Sequence, residues 1–344
     1  AGKVGAIIMW NTNPVYSLAN GEEFRTALAN VATRVSMSQY ADETATACTY
    51  ICPESHALES WNDYAPKMNS YAIAQPTIRP LHDTRPVGES FLIWSGEAVH
   101  TGKDSTTYHD FMKGLWEKYG FPTQTEYATF NSYWSAMVHQ SCGNEEAGNG
   151  PSAVSFSGNL SGAGTDIKGI TAGAFEVALY QKAGIGNGTQ AANPWLQEMP
   201  DTVTKVTWDN YVTMSYEDIE KLGCEKGLGQ ETPSTVVSVK VGETTLNLPA
   251  YPQAGQMPGT IGIAVGYGRG ENAEKIGKSA YHQTGYYGEA TTDIIGKNAF
   301  RLAAGGDFDI YDATVSKTDE TYFLACTQTH STVMARNSIV KETT

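Results

Sequence analysis

Cysteine is scarce: Cys48, Cys52, Cys142, Cys224 and Cys326 are the five in 344 residues. An odd number cannot complete a disulfide framework. The one close pair, Cys48 and Cys52, has three residues between its members, which excludes a redox C-x-x-C and a zinc knuckle. Burial as small apolar side chains is the expected fate of most of them. Basic residues are also few, with 23 Lys and Arg against 37 Asp and Glu and a formal charge of -14. That balance leaves no electrostatic footprint for phosphate backbones or anionic lipid heads, so no nucleic acid partner and no membrane-surface binding are expected. An acidic surface suits basic protein partners, although solubility is the plainer reason for one. No apolar run approaches the ~20 residues of a membrane helix, so no direct membrane span is expected. The amino terminus has neither a basic n-region nor an h-region. It begins AGKVGAIIMW, with no initiator Met and a strand almost at once, which reads as a start in mid-protein.

The familiar chemical motifs are missing as well. No G-x-x-x-x-G-K-[ST] occurs, and Gly266-x-Gly268-x-Gly270 has Glu271 where the dinucleotide fingerprint needs glycine, so a tight barrel corner is the expectation there. The histidines (His56, His82, His100, His109, His139, His282 and His330) form no H-E-x-x-H, and His139-x-x-Cys142 alone is a weak metal signal. No cysteine run suits an iron–sulfur cluster and no C-x-x-C-H suits haem, so the chain carries no redox centre visible in its sequence. In Gly158-Asn159-Leu160-Ser161-Gly162 the serine falls one place late for a nucleophile elbow. The acidic pairs Glu22-Glu23, Asp42-Glu43 and Glu145-Glu146 read as helix caps or hydrated faces. No catalytic, cofactor-binding or metal-ligating residue is assigned.

What the chain does contain is an ordered succession of periodicities. Its length suits two domains, because single cores stop growing near ~250–300 residues. From 4 to about 85 strand and helix signals alternate: a strand over Val4–Met9, a helix over 21–33 with Phe24, Leu28 and Val31 on one face, a strand over Arg34–Ser38, a capped short helix opening at Asp42-Glu43-Thr44, and a strand over Cys48–Cys52. Short parallel strands joined by helices make an α/β sheet. The segment 64–86, with Pro66, Pro76, Pro80 and Pro86, reads as an extended surface connection. Helices are expected near 89–97, 108–119 and 129–140. Residues 142–194 are dense in Gly and Ser, in CGNEEAGNGPSAVSFSGNLSGAGTDIKG and AGIGNGTQAAN, and read as a linker zone interrupted by one helix over Ala174–Gln181. The period then becomes two, with strands expected over Val203–Thr207, Thr235–Val241, Thr244–Leu248, Thr260–Val265 and Tyr322–Ala325 and a helix over 216–222. The expected organisation is a Rossmann-like α/β domain over 1–150, a Gly/Ser-rich linker zone over 151–192, and a mainly β barrel domain over 193–344.

Several stretches together resemble one family. Asn11-Thr12-Asn13-Pro14 after a strand, Asp42-Glu43-Thr44-Ala45, Ile51-Cys52-Pro53, Glu59-Ser60-Trp61 and Gln75-Pro76 look like the third domain of molybdopterin-dependent oxidoreductases. The run Asn193-Pro194-Trp195-Leu196-Gln197-Glu198-Met199-Pro200-Asp201, continuing to Asn210, and Pro258-Gly259-Thr260 with Gly266-Tyr267-Gly268-Arg269, look like the fourth. Within that family LESWNDYAPK (58–67) and CTQTHSTVMARNSIVKET (326–343) resemble the large iron–sulfur subunit of alternative complex III, a bacterial quinol:electron-acceptor oxidoreductase.

The resemblance implies a molybdopterin-enzyme-like portion without its molybdenum cofactor. It implies iron–sulfur clusters in a following portion of the subunit and haem c in partner subunits, a multihaem cytochrome among them. An integral membrane quinol-binding subunit and a peripheral position on the periplasmic side of the inner membrane follow in the same way. In the family the Asn-Pro turn belongs to the pocket of a pterin dinucleotide, whose phosphates need backbone amides at strand ends. Such a turn can persist without its ligand, because Pro14 and Asn20-Gly21 shape the chain by themselves. Three readings follow: a non-catalytic docking module of an electron-transfer complex; part of an active molybdopterin oxidoreductase in which residues 11–14, 42–44 and 193–195 touch the cofactor; or a free-standing β-rich binding module.

Overall fold

The structure, a computed structural model, describes residues 2–67, 70–99, 102, 106–144, 155–226, 232–270, 294–303, 306 and 308–329. The pair Glu145-Glu146, residues 271–293, His100, His282, His330 and the wording from 330 to 343 lie outside the described residues.

Three short parallel strands, β1 (Ala6–Met9), β2 (Thr33–Ser36) and β3 (Tyr50–Ile51), form the first sheet in the order β1-β2-β3, with Ile8 opposite Val35 and Val35 opposite Tyr50. Helices α1 (Pro14–Ser17) and α2 (Gly21–Leu28) make the crossover from β1 to β2. Pro14 stands at the first helical position of α1, where its fixed φ suits the helix and its missing N–H costs nothing. Glu22 and Glu23 sit in the first turn of α2, where carboxylates offset the helix dipole.

The proline-rich connection expected over 64–86 is instead paired in its first part, up to Ala74, and irregular beyond it. Strands β4 (Asn62–Lys67) and β5 (Ser70–Ala74) are antiparallel, and β6 (Cys142–Asn144) extends them to a second sheet, β4-β5-β6. Pro66 is tolerated because β4 is an edge strand, and the register shifts between Tyr64 and Lys67 around it. Helices α3 (Val87–Trp94), α4 (Thr107–Leu115) and α5 (Phe130–Gln140) lie where helices were expected. α4, the turn after it and α5 pack an aromatic cluster of Trp116, Tyr133 and Trp134 around Met112, Met137 and Ile73 of β5.

The second half closes a six-stranded barrel, ordered β10-β8-β11-β7-β12-β9. Its strands are β7 (Phe175–Tyr180), β8 (Val212–Met214), β9 (Ser234–Val241), β10 (Thr244–Pro252), β11 (Thr260–Ala264) and β12 (Asp309–Tyr322). The run Ala174–Gln181, expected as a helix, is β7. Val177 and Leu179 point into the core while Glu176 and Ala178 face out, a period of two that six residues are too few to distinguish from a helical stripe. The barrel therefore takes a strand from within 151–192, beyond α6 (Leu160–Lys168). Val203–Thr207 is not a strand but a turn held by Asp201, with one bridge from Val206 to Cys326. The strand placed at Tyr322–Ala325 is the last residue of the longer β12, which pairs with β7 at its start and β9 at its end through two register shifts. Bulges of that kind let one strand bend enough to close a barrel. Gly242-Glu243 links β9 and β10 as a tight hairpin. α7 (Pro194–Glu198) and α8 (Tyr216–Lys221) complete the fold.

All five cysteines are free thiols, and only Cys224 and Cys326 are buried. The expectation that most would be buried fails because Cys142 stands on the outer strand β6, and Cys48 and Cys52 flank the short strand β3 at the sheet's open edge. Among the described residues no helix is long and apolar enough to cross a membrane.

Candidate functional site

The turn at the end of β1 is built from Asn11, in a left-handed conformation at φ 50°, Thr12, Asn13 and Pro14. The Asn13 carbonyl accepts the amides of Tyr16 and Ser17 at 3.1 and 2.9 Å, which starts α1. The Asn13 side chain reaches across to the loop after β2. Its Oδ1 accepts the Thr44 amide at 3.1 Å and the Thr44 hydroxyl at 2.6 Å, and its Nδ2 donates to Glu43 Oε2 at 2.7 Å. The Thr44 hydroxyl oxygen in turn accepts the Val15 amide at 3.1 Å. Residues 11–14 and 42–44, expected as cofactor contacts in one reading, are thus brought together, and they are bonded to one another.

The acidic pair Asp42-Glu43 divides into two roles. Asp42 caps the short 3-10 turn Ala45–Ala47, accepting the Thr44 and Ala45 amides at 3.1 and 2.7 Å and the Ser38 hydroxyl at 2.8 Å. Burial raises its carboxyl above the ordinary range, and those donors only partly offset the rise. Glu43 is neither a cap nor hydrated. It is 2% exposed and faces Arg269, 5% exposed, from the loop after β11. Arg269 Nε donates to Oε1 and Nη2 to Oε2, both at 2.9 Å, and the Gly270 amide donates to Oε1 at 2.8 Å. With Asn13 this makes four donors on two oxygens, about all the lone-pair sites a carboxylate has. Burial works against the charged form of Glu43, yet the Arg269 guanidinium, the Gly270 amide and Asn13 outweigh it and hold the carboxyl below its ordinary value.

Arg269 is fixed on its other sides. Nη1 donates to the Gly188 carbonyl, and the guanidinium carbon lies 4.5 Å from the Tyr16 ring centroid. Tyr16, carried by α1, belongs to the barrel core. Its ring meets Phe300 edge-on at 5.4 Å, its hydroxyl donates to the Tyr267 carbonyl at 2.7 Å, and its carbonyl accepts Asn298 Nδ2 at 2.9 Å. The glycine-rich corner makes this closeness possible. Gly188 and Gly266 have φ of 88° and 95°, and a Cβ on Gly188 would stand 2.7 Å from the Gly266 carbonyl oxygen. The Asn-Pro turn therefore aims one aromatic ring and one asparagine at the barrel mouth, and the barrel answers with one arginine.

Residues 193–195 do not join this network among the described residues. Asn193 Oδ1 accepts the Trp195 amide at 3.0 Å and caps α7, while the Trp195 ring is 80% exposed. Tyr16 was not singled out from the sequence, and Glu43 and Arg269 were named there only in separate motifs, with nothing to pair them. The signal available was the arginine in Gly-Tyr-Gly-Arg at a barrel corner, but its carboxylate lies 226 residues away.

A second polar cluster fills another part of the barrel end. Lys182 Nζ donates to the Asp209 carbonyl at 3.1 Å and lies 4.1 and 5.1 Å from the ring centroids of Tyr211 and Tyr267. Burial pushes this amine down to about 8, against the raising pull of Asp201, Asp209 and Cys326. Beside it a cleft of about 630 Å³ is lined by Tyr180, Lys182, Asp201, Thr213 and Gln256 among others. The groups on which the ammonium is spent do not line that cleft. Among the described residues no group of three His, Cys, Asp or Glu side chains could hold a metal ion.

No family model matches the chain. It is 27% identical over 276 residues to the menaquinone reductase, molybdopterin-binding-like subunit, of Nitratidesulfovibrio vulgaris. In sequence the chain is thus similar to a molybdopterin-binding-like subunit. That alignment covers 76% of the chain and 36% of the relative, so the chain spans about a third of the relative's length. Acetylene hydratase from Pelobacter acetylenicus matches with a TM-score of 0.48 at 14% identity, over 91% of this chain and 44% of that one, a likeness too low to carry argument.

The resemblance raises the question of a pterin dinucleotide, and Asn13 with residues 42–44 does not fit one. The donors that could receive a phosphate, namely Arg269, the Gly270 amide and Asn13 Nδ2, converge on the Glu43 carboxylate. A phosphate at this place would have to compete with the Glu43 carboxylate for those donors.

Proposed function

We propose that this chain is a non-catalytic structural and docking part of the iron–sulfur subunit of a membrane-bound quinol oxidoreductase in respiratory electron transfer. Electrons pass from quinol through iron–sulfur clusters in another portion of the subunit to haem c in a partner, and this portion holds those elements in place. The complex faces the periplasm and sits on an integral membrane quinol-binding subunit, as in alternative complex III. Two likenesses support the reading: the 27% identity to a menaquinone reductase subunit that is molybdopterin-binding-like, and the wording LESWNDYAPK at 58–67. The observation that carries it is Glu43, an internal carboxylate on which Arg269, the Gly270 amide and Asn13 converge.

Elemental analysis of the purified complex, with pterin fluorescence after denaturation and oxidation, tests the proposal. Iron present with molybdenum and tungsten far below one per chain, and no pterin, is the expected outcome. One molybdenum or tungsten per chain with released pterin would replace it with the active molybdopterin oxidoreductase.

A further inference from the structure

Four oxidisable rings stand in an unbroken file through the second sheet and its helices. Tyr71 of β5 meets Trp116, in the turn after α4, edge-on at 6.2 Å between ring centroids. Trp116 meets Trp134 of α5 at 6.2 Å, and Trp134 meets Trp61, just before β4, at 6.4 Å. The two middle indoles are buried, whereas Tyr71 is 37% exposed and Trp61 is half-buried, so both ends of the file reach the surface. Edge-on and tilted pairs of this kind are how rings lie in any packed core. Packing does not require that each member be oxidisable, and Phe121 and Phe130 fill the flanks of the same cluster. The file also holds a proton acceptor. Trp116 Nε1 donates to Oδ2 of Asp63, on β4, at 3.0 Å. An indole that loses an electron becomes a strong acid, and a carboxylate already bonded to its N–H takes the proton without rearrangement.

We propose that Trp61, Trp134, Trp116 and Tyr71 form a relay that carries a one-electron oxidising equivalent through this cluster and out to solvent, the oxidant being an oxygen-derived radical that reaches Trp61. The oxidant takes one electron from Trp61, Trp134 refills Trp61, and Trp116 refills Trp134 while its indole proton moves to Asp63. Tyr71 then gives an electron to Trp116, Asp63 returns the proton to the indole, and the Tyr71 phenol proton leaves to water. The net change is one electron from Tyr71 to the oxidant and one proton to solvent. The oxidising equivalent ends on Tyr71 because a phenol that sheds its proton is easier to oxidise at neutral pH than an indole. At that end soluble reductants can restore the ring, and the buried indoles are spared permanent damage. The inference goes beyond the docking role proposed above and does not depend on it.

The test tethers a ruthenium bipyridyl photo-oxidant to the full-length protein at Leu58→Cys, an exposed position three residues before Trp61, in a background of Cys48→Ser, Cys52→Ser and Cys142→Ser. Flash-quench oxidation followed by transient absorption should show a tryptophan radical that decays into a tyrosyl radical. Tyr71→Phe, which removes only a hydroxyl from a half-exposed ring, should abolish the tyrosyl signal and prolong the tryptophan radical. Tyr133→Phe, at the buried tyrosine beside Trp116, should leave the tyrosyl signal in place. Trp134→Phe should slow the tyrosyl radical's appearance at least tenfold with the melting transition retained, and Asp63→Asn should convert the tryptophan signal from neutral radical to radical cation. A tyrosyl radical that survives Tyr71→Phe, or one whose rate is unchanged in Trp134→Phe, overturns the relay, and so does a tryptophan radical that never passes to a tyrosine. Where Trp134→Phe does not fold, Tyr71→Phe decides alone. None of these outcomes bears on the pterin content that tests the docking role.

Discussion

Glu43 takes four donors onto two oxygens inside the protein, so its loss strands a buried guanidinium and two amide groups. Glu43→Gln should destabilise the fold by about 3–5 kcal/mol, the usual cost of breaking a buried pair from one side. Chemical denaturation checks this, and Glu43→Gln with Arg269→Met should lose less than the sum of the single changes. The sign with pH follows from the depressed carboxyl. The pair contributes fully above the ordinary carboxylate value near 4.5 and is lost as pH falls through the lower folded value. Glu43→Gln should therefore flatten the acid limb of the stability profile. Lys182 titrates at the opposite end. Its amine is depressed to about 8 in the fold and stands at 10.5 when unfolded, so the unfolded chain holds the extra proton between those values. Stability should rise with pH across that window, and Lys182→Met should remove the rise while leaving the acid limb unchanged. None of this was legible in the sequence. Asp42-Glu43 looks like any capping pair, and only the return of residue 269 to the same place separates the cap from the latch.

At the scale of elements the glycines of the barrel corner decide whether the two parts can meet. Gly188→Ala or Gly266→Ala would drive a Cβ to within 2.7 or 2.6 Å of a backbone oxygen at a left-handed φ. Each should cost more than the ~1 kcal/mol of an ordinary Gly substitution. Each should also weaken the Arg269 contact to the Gly188 carbonyl, seen as faster amide exchange at Gly270 than in a surface control. The sequence did expect a tight corner here, and it placed β1, α2, β9, β10 and β11 close to where they stand, because long alternations and an Asn-Gly or Gly-Glu turn are local signals. It failed where the signal was short or the partner remote. β7 was read as a helix, β4 and β5 as loop because of Pro66 in β4 and Pro76 just after β5, and β8, only three residues long and buried on both faces, shows no period at all.

For the whole molecule the consequence is a latch. α1 inserts Tyr16 into the barrel core, and Arg269 reaches back over the Tyr16 ring to Glu43 in the loop after β2. On the function proposed above, such a latch would transmit position rather than chemistry. The family resemblance read from the sequence rested on turns such as Asn11–Pro14, which here is held by hydrogen bonds from Thr44 to Asn13, a chain-internal contact that keeps such a turn recognisable whatever it holds. What those turns hold could not be read from them. The most direct measurement is a density map of the intact complex at side-chain resolution around Asn13. The account predicts continuous density joining Glu43 to Arg269 at about the 2.9 Å found here, with no further group between them. A pterin dinucleotide lying between the turn and Arg269, with Glu43 displaced, would contradict it.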